Sequence, residues 1–316
     1  MPDRKNTDLV KEIINLKKEK NAVILGHYYQ IPEIQDISDF LGDSLALSQK
    51  ANDTDADVIV FCGVHFMAET AKILSPEKRV FIPDPEAGCS LADGCKASDF
   101  KPFKDAHPDH TIISYINCSA EIKALSDIIC TSSNAVQIVN SLPKNEKIIF
   151  APDKNLGAYI NSVTGRNMLL WDATCEVHDI LSVERVLYLK EKHPDAKIIA
   201  HPECKGQILS MADFIGSTTA LLNFSKKDTA KEFIVATETG IIHQMKLENP
   251  TKEFYVVPSD ESCACNDCPY MKLNTMEKLH RCLKDEYYEI IMEPELIEKA
   301  AKPIRRMLDL SKSLVK

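Results

Sequence analysis

Short apolar runs rich in β-branched residues recur along the chain and alternate with segments that have the period of a helix. Nine of these runs are strand candidates: AVILG, DVIVF, RVFIP, TIISYI, KIIFAP, MLLW, KIIAH, EFIVA and EFYVV. Strands that are separated by helices pair in parallel sheets, and the helices cover both faces of each sheet. The pattern therefore predicts an α/β fold.

The nine runs fall into three groups of three, which indicates an internal repeat. The segments that follow the first strand of each group align without a gap. Each segment opens with a polar ring, at His27, Tyr115 and His201. A second polar group follows two residues later, at Tyr29, Asn117 and Glu203. Aspartates then fall in register, at Asp39, Asp127 and Asp213, and five residues further on come the hydroxyl groups of Ser44, Ser132 and Thr218.

The repeat divides the chain into three α/β units and a C-terminal segment. The predicted units are residues 1–108, which include an amphipathic N-terminal helix, residues 109–194 and residues 195–290; residues 291–316 form a helical segment that packs back on the body. The third strand of each unit leads into a cysteine, at Cys89, Cys175 and Cys268. We therefore expect three α/β/α domains of three layers each, related by a pseudo-threefold axis, with short parallel sheets and three cysteine ligands that converge on a central site.

A central cavity follows from this arrangement, because ligands of open parallel sheets bind outside the carboxyl ends of the strands. The hydroxyl-bearing stretches around Ser44, Ser132 and Ser217–Thr218 precede helical patterns, so their side chains and free backbone N–H groups can hold anions. Helix capping is the alternative for any one of them. Their threefold recurrence favours anion binding, which suits a substrate with carboxylate or phosphate groups.

Composition limits the classes of partner. The chain has 316 residues and a formal net charge of −9, so neither nucleic acid nor an acidic membrane surface is expected as its main partner. No apolar run is long enough to span a bilayer, and the N-terminal segment lacks the apolar core of a signal peptide. We therefore expect a cytoplasmic protein that acts on small molecules.

Eleven cysteines are too many to be explained by disulfides in a reducing compartment. Cys62, Cys118, Cys130 and Cys204 lie in or beside apolar stretches, where a free cysteine is a small core residue. Cys89, Cys175 and the stretch SCACNDC at 262–268 instead lie in turn-rich surroundings. Structural zinc takes four protein ligands, whereas a four-iron cluster held by three thiolates keeps one iron open for Lewis-acid chemistry. The spacing CxCxxC also differs from the radical-generating CxxxCxxC.

Several stretches together resemble the quinolinate synthase family of NAD biosynthesis. They include HYYQIPEIQDISDFLGDSL, FCGVHFMAETAKIL, PDPEAGCSLAD, YINCSAEIKALSD, APDKNLGAYI, HPEC, GSTTALL, ATETGIIHQM and CPYMKLNTMEKL. The resemblance implies condensation of iminoaspartate with dihydroxyacetone phosphate, and a [4Fe-4S] cluster on Cys89, Cys175 and Cys268. It also implies active-site residues at His27, Tyr29, Asp43, Ser44, Tyr115, Asn117, Ser132, His178, His201, Glu203, Ser217 and Thr218.

Roles for these residues follow from their chemistry. We expect Tyr29 and Glu203 to transfer protons, because burial and neighbouring groups can tune a phenol and a carboxylate. His27, His201 and Asn117 would orient the substrates, whose anionic groups the hydroxyl residues would hold. Tyr115 is expected to pack over the ligand as part of a lid.

Two further interpretations carry a simpler alternative. His178 would lie beside the cluster, although a histidine in a turn is commonly solvated. Phe66 and Met67 would close the cavity against water, although core packing also explains an aromatic residue beside a methionine.

Some questions stay open at the level of sequence. Cys263 and Cys265 are interpreted as ordinary thiols, since their spacing disfavours an unstrained disulfide. A metal- or redox-sensing binding module and an unrelated iron-sulfur hydro-lyase are alternative functions. The sequence also leaves open whether iminoaspartate arrives free or from an aspartate-oxidising partner.

Overall fold

Parallel sheets flanked by helices make up the protein, as the sequence predicts. A computed structural model describes residues 4–259 and 266–314. Three separate four-stranded sheets are present in this part of the chain, and every strand pair within them is parallel. The predicted α/β class with three repeated units is therefore confirmed.

The helices and strands follow one another in chain order, and the predicted unit boundaries divide them as follows. The first unit contains α1 (Arg4–Glu19), β1 (Ala22–His27), α2 (Pro32–Ile37), β2 (Phe40–Gly42), α3 (Ser44–Asp53), β3 (Val58–Cys62), α4 (His65–Leu74), β4 (Arg79–Phe81), α5 (Ser90–Asp93) and α6 (Ala97–Asp105). The second contains β5 (Thr111–Tyr115), α7 (Ala120–Leu125), β6 (Ile128–Cys130), α8 (Ala135–Ser141), β7 (Ile148–Ala151), α9 (Lys154–Thr164), β8 (Leu169–Leu170), α10 (Glu176–Asp179) and α11 (Val183–Lys192). The third contains β9 (Lys197–Ala200), α12 (Gly206–Leu209), β10 (Phe214–Ile215), α13 (Thr218–Lys227), β11 (Glu232–Ala236), α14 (Ile241–Glu248) and β12 (Glu253–Val256). A 3₁₀ turn (Met271–Leu273), α15 (Met276–Asp285) and α16 (Pro294–Leu314) complete the described chain. Across these predicted boundaries, α6 packs on the second sheet and α11 on the third.

The three sheets share one topology. Their strand orders are β2-β1-β3-β4, β6-β5-β7-β8 and β10-β9-β11-β12. All nine predicted strands are confirmed, and the sequence missed the edge strands β2, β6 and β10. These three strands have only two or three residues each, too few to show a period of their own.

The aspartates that fall in register attach these edge strands to the sheet. The Oδ2 atoms of Asp39, Asp127 and Asp213 each accept a hydrogen bond of 2.8 Å from a backbone N–H, those of Ile24, Ile112 and Ile198. The backbone N–H of each aspartate donates in return to the carbonyl of the same isoleucine, at 3.0, 2.9 and 2.8 Å. A reciprocal pair of this kind satisfies backbone groups just before the short strand begins. The recurring aspartate is therefore a structural part of the repeat.

The segment after the third sheet returns to the first unit. Residues 276–290 belong to the third unit by sequence, yet the apolar face of α15 packs on α1 and the first sheet. Leu279 and Leu283 are buried there beside Ile13 and Val58. An amphipathic pattern predicts such a helix but does not tell which sheet it covers, and the unit boundaries stay a prediction.

The C-terminal helix α16 packs against α7 and α4, and so bridges the first two units. Ile304 and Met307 on this helix are fully buried. At 21 residues it is long, but its sequence carries many charged residues. Among residues 4–259 and 266–314, no helix is both long enough and apolar enough to cross a membrane.

Asp213→Ala tests the structural role of the recurring aspartate. We expect the free energy of unfolding to fall by about 1 kcal/mol, because the N–H of Ile198 loses its charged acceptor. Urea denaturation measures this change. Asp105→Ala, which removes only an exposed i,i+4 pair with Lys101, is the matched control and should cost about 0.5 kcal/mol or less. Equal costs for both variants would contradict the assignment.

Candidate active site

A cavity that opens to solvent lies where the carboxyl ends of the three sheets meet. All but one of the site residues expected from the sequence line it. These are His27, Tyr29, Asp43, Ser44, Cys89, Tyr115, Asn117, Ser132, Cys175, His178, His201, Glu203, Thr218 and Cys268. The exception, Ser217, caps α13 instead: its hydroxyl accepts a hydrogen bond of 3.3 Å from the N–H of Ala220.

The strand ends explain why these residues converge. His27 and Tyr115 are the last residues of β1 and β5, and His201 directly follows β9. The three strands occupy the same position in their sheets, so their carboxyl ends point to the common axis. Tyr115 is thus fixed in a strand and is 4 % exposed, which does not fit the expected lid.

A buried carboxylate and two imidazoles form the polar centre of the cavity. Glu203 Oε2 lies 2.8 Å from His178 Nδ1 and 3.9 Å from His201 Nδ1, and the two imidazole rings stack at 4.7 Å between centroids. Burial would raise the pKa of Glu203, but both imidazoles, with hydrogen bonds from His178 and Tyr115, lower it to about 2. Glu203 is therefore a carboxylate at neutral pH. The solvated alternative for His178 is wrong, since the residue is only 2 % exposed.

A chain of hydroxyl groups links this centre to Tyr29. Tyr29 Oη lies 2.9 Å from Thr218 Oγ1 and 2.8 Å from Thr237 Oγ1. Thr237 Oγ1 lies in turn 2.9 Å from His178 Nε2. Burial raises the pKa of Tyr29 well above its ordinary value, so the phenol keeps its proton. The chain runs from Tyr29 through Thr237 and His178 to Glu203.

Helix capping is confirmed at two of the hydroxyl stretches, and anion binding stays a prediction. Asp43 and Ser217 cap α3 and α13, and each accepts a backbone N–H with its side chain. The residue after each cap, Ser44 or Thr218, lines the cavity, as Asp43 also does. Asn117 lines it too, and its buried Oδ1 has no hydrogen-bond partner among the described residues. An unpaired buried amide oxygen is costly, which fits a site completed by a ligand.

Each of the three expected cysteine ligands lies just before a short helical turn. Cys89 precedes α5, Cys175 precedes α10, and Cys268 precedes the 3₁₀ turn at Met271. Backbone N–H groups of the turns, including those of Leu91, His178 and Met271, act on the sulfur atoms and favour the thiolates.

Burial opposes these N–H groups and dominates. It raises the pKa of Cys89 to about 12 and that of Cys268 to about 11, and it raises that of Cys175 well above its ordinary value. Three thiols of partly buried cysteines meet in one cavity, one from each predicted unit, and would become thiolates when a cationic centre binds them. This donor set fits an iron-sulfur cluster. Cys175, His178 and Glu203 also bring ligand atoms within 4.8 Å of one another, so the polar centre adjoins the thiols.

The other described cysteines are core residues, as expected. Cys62, Cys118, Cys130 and Cys204 are fully buried, and so are Cys95 and Cys282. All nine cysteines of the described residues are free. Cys263 and Cys265 lie outside the described residues, so their interpretation as ordinary thiols stays a prediction. Phe66 and Met67 belong to the surrounding apolar core, which confirms core packing. They also line the cavity, and a role in excluding water stays a prediction.

Three buried polar residues in or beside the site escaped sequence analysis. Thr237 and Glu238 follow β11 in the stretch ATETG, and Asp153 follows β7 in the stretch APDKN. These stretches contributed to the family resemblance but not to the internal alignment. An alignment of the second long strand of each unit places Asp153 and Glu238 at equivalent positions. This alignment needs only the sequence and could have identified both residues.

Comparison with known proteins agrees with this site. The sequence model of the family described as "Quinolinate synthetase A protein" matches residues 11–309. The chain belongs to this family. It is 60 % identical over 304 residues to a quinolinate synthase of Microcystis aeruginosa, covering 96 % of this chain and 95 % of the relative. It is 62 % identical over 304 residues to a quinolinate synthase of Synechocystis, covering 96 % of both chains. A quinolinate synthase of Chloroherpeton thalassium is 59 % identical over 306 residues, or 96 % of this chain and 95 % of the relative.

Two buried imidazoles should make the stability of the chelator-treated protein depend on pH. Burial lowers the pKa of His27 to about 4 and that of His201 to about 3. Both rings regain a pKa of about 6.5 when the chain unfolds. Because the unfolded state then binds more protons, the free energy of unfolding falls as the pH drops from about 6.5 towards 4.

Between pH 7 and pH 5, we expect the free energy of unfolding of His27→Gln to fall by about 2 kcal/mol less than that of the unsubstituted chain. The reason is that one of the two imidazoles that take up a proton on unfolding is absent. Urea unfolding at the two pH values measures the difference. His65→Gln is the control, because its side chain is 41 % exposed and lies at the rim of the site. A pH dependence in His27→Gln equal to that of the unsubstituted chain would show that His27 is not buried in its neutral form.

Proposed function

We propose that this protein is a quinolinate synthase of de novo NAD biosynthesis, which condenses iminoaspartate with dihydroxyacetone phosphate to give quinolinate, phosphate and water. The observation that carries the proposal is the combination in one cavity of three thiols with a carboxylate, imidazoles and hydroxyl groups. Family membership and about 60 % identity to relatives that bear this name support it.

We assign a [4Fe-4S] cluster to Cys89, Cys175 and Cys268. Each unit contributes one thiol, and a cluster with three protein thiolates retains one iron without a protein ligand. When bound, the cluster supplies a Lewis acid that polarises a substrate oxygen. The three thiols that line one cavity, and the backbone N–H groups directed at them, support this assignment.

Hydroxyl groups and helix N-termini would hold the anionic groups of the substrates. Ser44 and Thr218 are the first residues of α3 and α13, and both helices exceed two turns. The free N–H groups of such a helix start attract phosphate and carboxylate. Ser132, from the second predicted unit, provides a third hydroxyl group in the cavity. Its Oγ lies 3.3 Å from His201 Nε2.

Tyr29 and Glu203 are suited to proton transfer in opposite directions. The lowered pKa of Glu203 keeps it a carboxylate, so it acts as the proton acceptor. The raised pKa of Tyr29 keeps its phenol protonated, so it acts as the donor. His27 and His201, held neutral by burial, would orient substrate groups by hydrogen bonds. Phe66, Met67 and Met271 exclude water from the apolar side.

Iminoaspartate is an imine that water hydrolyses, so its supply matters. We propose that an aspartate-oxidising enzyme delivers it to this protein. The free cysteines of the described chain support a reducing, cytoplasmic setting for this coupling.

Substitution of the ligands tests the cluster. We expect Cys89→Ser, Cys175→Ser and Cys268→Ser each to abolish the cluster after anaerobic reconstitution, because each removes one of three thiolates. Iron content and visible absorption measure the result. Cys62→Ala, at a buried thiol away from the cavity, is the matched control and should retain the cluster, as should Cys263→Ser and Cys265→Ser. A full cluster in any of the first three variants would remove that residue from the ligand set.

The activity itself is tested anaerobically with the two substrates and reconstituted protein. We expect quinolinate as the product, and a turnover about 100-fold lower in Tyr29→Phe, because the donor of the proton is lost. Tyr28→Phe changes the adjacent ring, which does not line the cavity, and should leave turnover unchanged. Binding of substrates without quinolinate, with the cluster shown to be intact, would instead support the binding module.

A further inference from the structure

The three cysteine-bearing loops are attached to their sheets by the same backbone hydrogen bond. In each unit, a residue three positions after the second long strand donates its backbone N–H. The acceptor is the backbone carbonyl of the residue two positions before the cysteine. The pairs are His65 with Ala87 at 2.7 Å, Lys154 with Ala173 at 2.9 Å, and Thr239 with Asn266 at 3.3 Å. The residues just before these donors, Val64, Asp153 and Glu238, therefore occupy equivalent positions beside the three thiols.

Glu238 uses this position to hold the Cys268 loop. Its side chain is fully buried. Oε1 accepts the backbone N–H of Cys268 at 3.1 Å and lies 2.8 Å from Lys272 Nζ. Oε2 accepts the backbone N–H of Gly240 at 2.6 Å. Both carboxylate oxygens are thus engaged, one of them by the ligand residue itself.

Lys272 extends the contact to the first unit. Besides Glu238, its Nζ donates a hydrogen bond of 2.7 Å to the backbone carbonyl of Tyr29. Gly240 packs on the same residue so closely that a Cβ there would lie 2.7 Å from Tyr29 Cα. The Glu238–Lys272 pair therefore joins the Cys268 loop, the end of β11 and the segment that carries Tyr29.

The second unit contains a similar arrangement. Asp153 is fully buried, and its Oδ1 accepts the N–H of Leu156 at 2.9 Å. The backbone N–H of Cys175 is among the groups that favour its charged form. In the first unit the equivalent residue is Val64, which has no side-chain acceptor. Acidic residues thus occupy two of the three equivalent positions, but among them only Glu238 accepts a side-chain hydrogen bond from the cysteine residue itself.

We propose that Glu238 and Lys272 are a positioning pair, which fixes the Cys268 thiol and the Tyr29 segment relative to each other across the cavity. The link to a cluster rests on the proposed function; the link to the thiol does not. Partners that orient a ligand residue typically contribute about 10- to 100-fold to metal affinity. Truncation of either member should therefore loosen Cys268 without acting on Cys89, which lies on another unit.

The test is the alkylation rate of Cys268 relative to Cys89 in chelator-treated protein, followed by mass spectrometry of the labelled peptides. We expect the ratio to rise several-fold in both Glu238→Gln and Lys272→Met. The two variants separate positioning from charge. The carboxylate disfavours the Cys268 thiolate and the ammonium group favours it, so a pure charge effect would raise the ratio in Glu238→Gln and lower it in Lys272→Met.

The matched control is Asp228→Asn, which breaks the 2.5 Å pair with Lys197 at the opposite end of β9. Asp228→Asn should leave the alkylation ratio of Cys268 to Cys89 unchanged, and its reconstituted cluster should be removed by a chelator at the rate of the unsubstituted protein. In Glu238→Gln, we expect removal of the cluster by the chelator to be about tenfold faster. A ratio in Lys272→Met that falls or stays the same would overturn the proposal.

A measurement on the unsubstituted chain covers the case in which a variant does not fold. The N–H groups of Cys268 and Gly240 should be protected from hydrogen exchange in the chelator-treated protein, because both are bound to a buried carboxylate. Exchange at the rate of an exposed amide would overturn the proposal. Absence of quinolinate synthesis with a changed alkylation ratio would reject the proposed function and leave the positioning role standing.

Discussion

The buried carboxylate of Glu203 is the interaction on which the organisation of the cavity depends. A charge inside a protein is tolerated only when hydrogen bonds and opposite charge compensate it. His178 Nδ1, at 2.8 Å, provides the main compensation and therefore carries its proton toward Glu203. His178 Nε2 lies 2.9 Å from Thr237 Oγ1, and Thr237 Oγ1 lies 2.8 Å from Tyr29 Oη. One carboxylate is thus joined to the phenol of Tyr29 through His178 and Thr237.

The threefold repeat supplies the frame of the site, and departures from the repeat supply its chemistry. The equivalent aspartates Asp39, Asp127 and Asp213 make the same two hydrogen bonds in each unit, so they carry no functional difference. Two residues after the polar ring at each first strand, however, stand a phenol, an amide and a carboxylate in turn. A symmetric frame with unlike side chains suits two substrates of different shape and charge. It also explains why the three thiols converge although they are far apart in the chain.

Features that depend on neighbouring residues could be predicted from the sequence. Features that depend on contacts between distant segments could not. Long strands such as β3 and β7 are buried along their whole length, and their apolar runs are evident without any partner. The edge strand β10 depends on the hydrogen bonds of Asp213 rather than on its two residues. The docking of α15 on the first sheet, and of Glu238 on the Cys268 loop, depends on contacts between distant segments. A turn glutamate looks the same in sequence whether it is solvated or, like Glu238, fully buried.

Burial and backbone dipoles act against each other at the three thiols, and their balance links the fold to its cofactor. N–H groups at the starts of short turns favour the thiolates, whereas the apolar surroundings favour the thiols and prevail in the chain alone. A cationic centre held by all three cysteines would reverse this balance, because each sulfur would lose its proton to bind it. Since the three cysteines belong to different predicted units, such binding would also tie the units to one another. Glu238, which disfavours the Cys268 thiolate, would then hold the loop of that cysteine through its hydrogen bond with the Cys268 N–H.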